Sequence, residues 1–187
     1  LMVVNRLPLE SYLCGVVPFE SPASWPATAL RVQAVAARSY PLATRKTGAF
    51  DAYCTTASQY YGGVDAGHGE EPTTTDAVRD TAGVVATYGG APIVAYYFST
   101  SGGHTENIEN VWASAAPVPY LKGVEDPYDG ASPYHIWKPI TVGAGRLAGQ
   151  LGAASLGLAQ GFVQVVDNEV EHVVLTRRGE IARIRRE

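Results

Sequence analysis

An alanine-rich segment bracketed by two prolines constrains the fold of this chain more than any other feature. Residues 27–40 contain five alanines and no glycine, and they lie between Pro26 and Pro41. This composition predicts a helix over 27–40, with Ser24 as its N-cap and Pro26 in its first turn. Because small side chains let another backbone approach closely, we expect this helix to be central in the fold. Pro41 lacks a backbone N–H, so it should kink or end the helix.

The remaining patterns predict a mixture of helices and antiparallel strands. Helical spacing predicts short helices over 8–17, ended by Pro18, and over 75–83, with a threonine or aspartate cap and a glycine stop. A Gly89-Gly90 turn between apolar runs predicts a β-hairpin over 84–98. Further expectations are a short strand and loops over 50–63, a helix over 141–151, and strands over 162–166, 170–175 and 181–184. The sequence therefore predicts an α+β fold, a single compact domain whose Ala-rich helix packs on antiparallel strands, with a small C-terminal β subdomain.

Composition and charge exclude several classes of function. The chain of 187 residues is 46% hydrophobic and 17% charged, which is typical of a globular protein with a sizeable core. Its formal net charge of −4 argues against a nucleic-acid partner. The arginines near the C-terminus alternate with apolar residues, so we interpret them as the solvated face of a terminal hairpin. The sequence contains no apolar run long enough to span a membrane, and no leader pattern opens it.

The two cysteines, Cys14 and Cys54, leave two interpretations open. They could form one disulfide in an oxidising compartment, or Cys14 could be a buried free thiol within its apolar run. Zinc sites require closely spaced Cys and His ligands, and that spacing is absent here. We therefore predict no bound metal and no cofactor.

Glu20 is the acid with the most unusual sequence neighbours. Val16, Val17, Phe19 and Trp25 flank it. Apolar surroundings disfavour the charged form of a carboxyl group and raise its pKa, as a general acid near neutral pH requires. The alternative is an exposed loop glutamate. We predict that Glu20 lies in a groove and has a raised pKa.

Several segments in one order resemble the SpoIID/LytB family, the stage II sporulation protein D and amidase-enhancer domain. The matching runs are Leu9-Glu-Ser-Tyr-Leu13, Gly15-Val-Val-Pro-Phe-Glu20, Ala29-Leu-Arg-Val-Gln33-Ala-Val-Ala-Ala-Arg38-Ser-Tyr40 and Ala91-Pro-Ile-Val-Ala-Tyr-Tyr-Phe-Ser99-Thr-Ser-Gly-Gly-His-Thr-Glu-Asn107. Val111-Trp112, Pro119-Tyr-Leu121 and Asp126-Pro127 follow. The resemblance covers about residues 7–137. We predict one domain over 1–187, in which residues 138–187 form a strand-rich C-terminal part.

The resemblance implies a bacterial, extracytoplasmic protein that acts on peptidoglycan glycan strands. In the family, the glutamate at the position of Glu20 is the catalytic acid of a lytic transglycosylase. One carboxyl group suffices for that reaction because the C6 hydroxyl of N-acetylmuramic acid replaces water as nucleophile, unlike in hydrolysing glycosidases. Some family members hold zinc through a Cys and a nearby His. Here Cys54 has no histidine near it until His68, so we keep the prediction of no metal.

The resemblance also implies a substrate-binding set, for which structural alternatives stay open. Ten members carry polar or aromatic side chains suited to sugars, and two are glycines that permit close backbone approach. The set is Gln33, Arg38, Tyr40, Gln59, Ser99, Ser101, Gly102, Gly103, His104, Thr105, Glu106 and Trp112. Arg38 has the alternative of buried hydrogen bonding that holds the fold. The run 101–107 has the alternative of a tight turn that caps a helix beginning near Glu106. Tyr60, Trp112 and Trp137 could stack on sugars or belong to the core.

Two other functions compete with the lytic transglycosylase. One is a non-catalytic module that binds peptidoglycan and enhances a separate cell-wall amidase. The other is a hydrolysing muramidase that uses a second acid such as Glu106. We expect 101–107 to line the same groove as Glu20.

Overall fold

The computed structural model describes residues 2–64, 69–112 and 115–136, together with the strand residues 142–143, 162–163, 173–175 and 181–183. The chain divides into two compact units, Leu1–Phe98 and Ser99–Glu187. Both helices and antiparallel strands are present, which is compatible with the predicted α+β class. The finer arrangement, one compact domain with a small C-terminal β subdomain, stays a prediction.

The described residues of the first unit form four helices: α1 (Leu9–Cys14), α2 (Val17–Glu20), α3 (Ala27–Thr44) and α4 (Pro72–Asp80). The single helix predicted over 8–17 is wrong, because the chain turns at Gly15 between α1 and α2. Pro18 does not end a helix but lies in the first turn of α2, where its missing N–H needs no helical acceptor.

The beginnings of the two longer helices also differ from prediction. Pro26 occupies the N-cap position of α3, and no side chain caps that helix, so the predicted Ser24 cap is wrong. The fourth helix begins earlier than predicted, at Pro72, with Glu71 at its N-cap. Proline is favourable at both helix beginnings because its fixed φ suits helical geometry.

The central helix α3 continues through Pro41 to Thr44, which corrects the expectation that this proline would end it. A proline at position 41 deprives the Ala37 carbonyl of its helical donor. The Gln59 side chain supplies the missing bond, because its Nε2 donates to the Ala37 oxygen at 3.1 Å. A distant side chain therefore compensates locally for the lost helical hydrogen bond.

The core of the first unit lies between helices. Helix α3 packs against α1, α2, α4 and strand β2 (Ala91–Pro92). The core side chains are fully buried and mostly small: Leu13, Val16, Val17, Ala34, Ala37 and Val78. The alanines at 34 and 37 let the neighbouring elements approach α3 closely, as predicted for a central helix.

The predicted hairpin is confirmed, although its strands are short. Strand β1 (Thr87–Tyr88) pairs antiparallel with β2, with Thr87 opposite Pro92. Gly89 and Gly90 have φ of 58° and 84°, which suits the turn type that glycine pairs favour. Residues 50–63 form turns and loops and contain no strand.

The second unit contains α5 (Ile108–Val111), a 3₁₀ turn (Asp129–Ala131) and short strands. Strand β3 (Val142–Gly143) pairs antiparallel with β4 (Phe162–Val163), and β5 (Val173–Leu175) with β6 (Ile181–Arg183). The predicted strands near 162, 173 and 181 are confirmed at these residues. The helix predicted over 141–151 is wrong at Val142–Gly143, and its other residues lie outside the described part. None of the described helices is long and apolar enough to cross a membrane.

Candidate functional site

Glu20 is the last residue of α2 and its side chain is half-buried. Val16 and Val17, which precede it in the chain, are fully buried, whereas Phe19 and Trp25 are 37% and 50% exposed. Burial raises the pKa of the Glu20 carboxyl group, and a hydrogen bond from Tyr97 partly opposes that rise. Burial therefore shifts the pKa of Glu20 in the predicted direction, although Phe19 and Trp25 are exposed.

Two polar side chains connect to this acid, the partly buried Tyr97 directly and the buried Gln59 through Tyr97. Tyr97 forms a hydrogen bond with Glu20. Gln59 is 3% exposed, and its Nε2 donates to the Tyr97 oxygen at 3.0 Å. The Tyr12 hydroxyl donates to Gln59 Oε1 at 3.2 Å. Burial, followed by the nearby Glu20 charge, raises the pKa of Tyr12 to about 12. Sequence reasoning named Gln59 but missed Tyr12 and Tyr97, although both lie within the quoted motifs.

Two glycines allow the segment carrying Gln59 to lie close to α1 and α2. The Gly62 N–H donates to the Gly15 oxygen at 3.0 Å. A Cβ at Gly15 would lie 2.6 Å from the Tyr61 ring, and a Cβ at Gly62 would lie 2.1 Å from the Phe19 ring. Any larger residue at either position would force these rings to move. The close packing of this segment against α1 and α2 fixes the position of the backbone that carries Gln59.

The candidates on α3 occupy different environments. Arg38 is 1% exposed. Its guanidinium forms a paired contact with Glu10, at 3.0 and 2.8 Å, and donates to the carbonyls of Val78 and Val84 at 3.0 and 3.1 Å. Its Nη1 also lies within hydrogen-bond distance of the Ala34 carbonyl and the Thr81 hydroxyl. This geometry favours the alternative in which Arg38 holds the fold.

Gln33 and Tyr40 are both partly buried on α3. The Gln33 Nε2 atom is buried and has no hydrogen-bond partner among the described residues. A buried donor without a partner is costly, so its presence calls for an explanation. The Tyr40 ring meets Tyr96 edge-on, with ring centroids 6.0 Å apart. A substrate-binding role for both residues stays a prediction.

In the second unit, one buried aspartate, Asp129, binds residues 100–102. Asp129 accepts hydrogen bonds from the Thr100 hydroxyl at 2.8 Å and from the Ser101 and Gly102 amides at 2.8 and 3.0 Å. Its contact with His135 Nδ1 at 2.7 Å is the main reason that its pKa is well below the usual range. Sequence reasoning missed Asp129 because no local pattern marks an acid whose partners lie in a distant loop.

The remaining candidate residues of the second unit lie in and after the loop that Asp129 binds. Gly102 and Gly103 have φ of 69° and 100°, a backbone region that glycine adopts readily. The Ser101 hydroxyl donates to Asp126 at 2.9 Å. Ser99, His104 and Glu106 are exposed, and Trp112 is 47% exposed at the end of α5.

Residues 104–107 pair with the segment that follows α5. The Thr105 amide donates to the Val124 carbonyl at 2.8 Å, and the Gly123 amide donates to Asn107 Oδ1 at 2.7 Å. Glu106 accepts from the Asn107 amide at 2.7 Å. Helix α5 begins at Ile108 with Asn107 at its N-cap position, close to the start that the turn-only alternative gives, but no side-chain hydrogen bond caps it. Glu20 belongs to the first unit and this loop to the second, and their predicted common groove stays a prediction.

Neither cysteine forms a disulfide in this structure. Cys14 is partly buried, which raises the pKa of its thiol, and Cys54 is exposed. Within the described ranges, no cluster of three or more His, Cys, Asp or Glu side chains could hold a metal ion. Since His68 and Trp137 lie outside those ranges, the absence of zinc and the role of Trp137 stay predictions.

Comparison with known proteins adds an independent line of evidence. Residues 1–88 match the SpoIID family model, described as a stage II sporulation protein. The chain is 37% identical over 154 residues to the stage II sporulation protein D of Bacillus subtilis (strain 168), covering 74% of this chain and 44% of that protein. It is 37% identical over 149 residues to the stage II sporulation protein D of Bacillus amyloliquefaciens, covering 71% and 42%. It is 44% identical over 121 residues to the amidase enhancer of Bacillus subtilis (strain 168), covering 63% of this chain and 16% of that protein.

The chain thus spans less than half the length of each of these relatives. The matched segments include Glu20 and α3 within the family-model range of 1–88. On this match and these identities, the chain carries a domain of the SpoIID family.

Proposed function

We propose that this domain is a peptidoglycan lytic transglycosylase that uses Glu20 as its single acid and base. The observation that carries the proposal is the environment of Glu20, a half-buried carboxyl group whose pKa is raised by burial. A general acid works best when its pKa lies near the working pH, and burial moves a glutamate in that direction. Its site of action would be the bacterial cell wall, outside the cytoplasm.

The proposed reaction needs two proton transfers at one carboxyl group. Protonated Glu20 gives its proton to the glycosidic oxygen between N-acetylmuramic acid and N-acetylglucosamine, and the C1–O bond breaks. The resulting carboxylate takes the proton of the muramic C6 hydroxyl, whose oxygen bonds to C1 and closes a 1,6-anhydro ring. Burial favours the acid form, and the Tyr97 hydrogen bond favours the carboxylate. These opposing effects suit a group that must give and then take a proton.

The Gln33 Nε2 has no hydrogen-bond partner among the described residues, and it would reach a sugar if this partly buried side chain turned outward. An N-acetyl carbonyl or a sugar hydroxyl would supply the acceptor that the described residues do not. The ordered glycine loop at 101–103 has the backbone freedom for close approach to a sugar. We propose that Gln33, Tyr40 and this loop bind the glycan strand.

The second candidate function is enhancement of a cell-wall amidase without cleavage of glycan. It is favoured by the 44% identity to a protein named amidase enhancer. In that case the partners would be peptidoglycan and an amidase, and Glu20 would have no catalytic role. A hydrolysing muramidase with Glu106 as second acid would instead require a water nucleophile.

The test compares wild type with Glu20→Gln on purified glycan strands freed of stem peptides. We expect wild type to release chains ending in 1,6-anhydromuramic acid, identified by mass spectrometry, and Glu20→Gln to release none. Glu70→Gln, which changes an exposed glutamate of the same unit, is the matched control and should act like wild type. Full activity of Glu20→Gln would refute the proposal. Glycan strands left intact, together with faster release of stem peptides from whole peptidoglycan when the protein is mixed with an amidase, would favour the enhancer.

A further inference from the structure

The proline within α3 leaves a carbonyl oxygen without its helical donor. Pro41 has no N–H, so the Ala37 carbonyl lacks the bond that residue 41 would ordinarily donate. Ala37 is fully buried, which restricts access of water to this oxygen. The Gln59 Nε2 donates to it at 3.1 Å. The helix interruption therefore creates the anchor for a side chain from another segment.

This anchor determines the orientation of the whole Gln59 amide. A carbonyl oxygen only accepts, so the Nε2 end of the amide must face Ala37. The second Nε2 proton points to the Tyr97 oxygen at 3.0 Å, and Oε1 accepts from the Tyr12 hydroxyl at 3.2 Å. Both amide protons and the amide oxygen are thus engaged within the fold.

The orientation of Gln59 in turn fixes the direction of the Tyr97 hydroxyl. Because the Tyr97 oxygen accepts from Gln59, its single proton is directed to the other neighbour, the Glu20 carboxyl group. A chain of donors and acceptors therefore runs from the Ala37 carbonyl through Gln59 and Tyr97 to Glu20. The donor and the acceptor of each hydrogen bond in this chain are fixed, because the Ala37 carbonyl at its start can only accept.

We infer that Tyr97 and Gln59 are positioning residues for Glu20, anchored at the carbonyl that Pro41 leaves without a helical donor. The inference rests on the proposed function, and it deepens that function by naming what holds the acid in place. It also gives Gln59 a role different from the substrate contact that the resemblance implied. A carboxyl group held by an oriented donor keeps the geometry that proton transfer requires.

The titratable groups around this chain keep the pH response simple. Tyr97, from the segment before the second unit, and Tyr12, from α1, both face Glu20, and burial is the main reason that each has a raised pKa. Both therefore keep their protons at neutral pH. The other titratable groups that face Tyr12 are Tyr40, Cys54 and Tyr61. A titration of Glu20 between pH 4 and 8 thus reports the acid itself, within roughly the range over which glutamates titrate in proteins.

The first experiment follows the carboxyl carbon of Glu20 by NMR as the pH is varied, with the signal assigned from its absence in Glu20→Gln. Tyr97→Phe removes the hydroxyl that stabilises the carboxylate, so the midpoint should move to higher pH. Tyr96→Phe removes the hydroxyl of the adjacent residue and should leave the midpoint in place. In cleavage assays, Tyr97→Phe should move the alkaline limb of the pH–rate profile to higher pH. It should also lower kcat by up to roughly a hundredfold. An unchanged midpoint in Tyr97→Phe would overturn the inference.

A second experiment separates positioning by Gln59 from its structural role. Gln59→Leu leaves the Ala37 carbonyl without either donor, so it should destabilise the fold and release Tyr97. Adding Pro41→Ala restores the helical N–H, and stability should recover. The midpoint of Glu20 should nevertheless stay above the wild-type value in the double variant. Recovery of both stability and midpoint would show that Gln59 acts only on the fold, and would overturn its positioning role.

These readouts distinguish failure of the inference from failure of the proposed function. The NMR titration is made on free protein and needs no glycan cleavage. The expected midpoint shifts together with an inactive wild type would refute the transglycosylase and uphold the hydrogen-bond chain. An active wild type whose midpoint ignores Tyr97→Phe would refute the chain and uphold the transglycosylase.

Discussion

Replacement of Arg38 by methionine should destabilise the first unit strongly. The substitution keeps a similar side-chain length but removes all the guanidinium donors, which at present bind Glu10, Val78 and Val84. Breaking a buried ion pair by removing one partner costs about 3–5 kcal/mol. Glu10 keeps 40% of its side chain exposed, so water can solvate the abandoned carboxylate and the lower end applies. We therefore expect a loss of about 3 kcal/mol in the free energy of unfolding.

The assay is chemical and thermal unfolding of the full chain followed by far-UV circular dichroism. A loss of this size should lower the melting temperature by roughly 12–24 °C for a unit of this length. Arg31→Met is the matched control, because Arg31 lies on the same helix and pairs with Asp80 at the surface, with side chains 47% and 49% exposed. An exposed pair contributes less than about 1 kcal/mol.

Two outcomes would refute this reasoning about Arg38. If Arg38→Met unfolds like wild type, the buried guanidinium does not hold the fold. If Arg38→Met is as stable as wild type but no longer binds glycan, Arg38 is a substrate ligand, which is the role that the family resemblance implied. Equal losses in Arg38→Met and Arg31→Met would likewise show that burial of the pair has no particular effect.

Three other sites give sharp expectations. Hydrogen bonds from Arg38 lower the pKa of Glu10 in the folded protein. The contribution of Glu10 to stability is therefore fully present above the usual glutamate pKa, and it is lost as the pH falls through the lowered pKa of the folded state. The free energy of unfolding should therefore fall more steeply on acidification in wild type than in Glu10→Gln, and parallel curves would contradict this. Asp129→Asn should accelerate hydrogen exchange at the Ser101 and Gly102 amides, and unchanged rates would show that the aspartate does not order the loop. Gln33→Met removes a buried unpartnered donor, so it should raise the free energy of unfolding by about 1 kcal/mol while weakening glycan binding. A loss of stability would show that this donor has a partner in the folded protein.

Local patterns in the sequence predicted the features that depend on nearby residues. The alanine-rich composition predicted α3, and the glycine pair at 89–90 predicted the hairpin. The apolar residues before Glu20 predicted that its carboxyl group would be partly buried. Because burial disfavours the charged form, they also predicted the direction of its pKa shift. Prolines were harder to interpret, since a proline that ends one helix equally well begins another, as Pro18 does.

Contacts between distant segments were beyond such patterns. Helix α3 passes Pro41 because a side chain 22 residues away from Ala37 replaces the missing donor. Thr100 and Asp129 are 29 residues apart, so nothing near the loop indicated its anchor. Gln59 was singled out for sugar binding, whereas its amide is engaged inside the fold on both sides. The sequence names the polar residues of such a network but not their partners.

Digestion of peptide-stripped glycan strands in heavy-oxygen water tests the central claim most directly. If Glu20 works alone as acid and base, the C6 hydroxyl is the nucleophile, so product chains should end in 1,6-anhydromuramic acid without solvent oxygen. A hydrolase with a second carboxylate would leave reducing ends that carry the heavy isotope. Labelled reducing ends, or strands left uncut at high protein concentration, would contradict the assignment of this domain as a lytic transglycosylase.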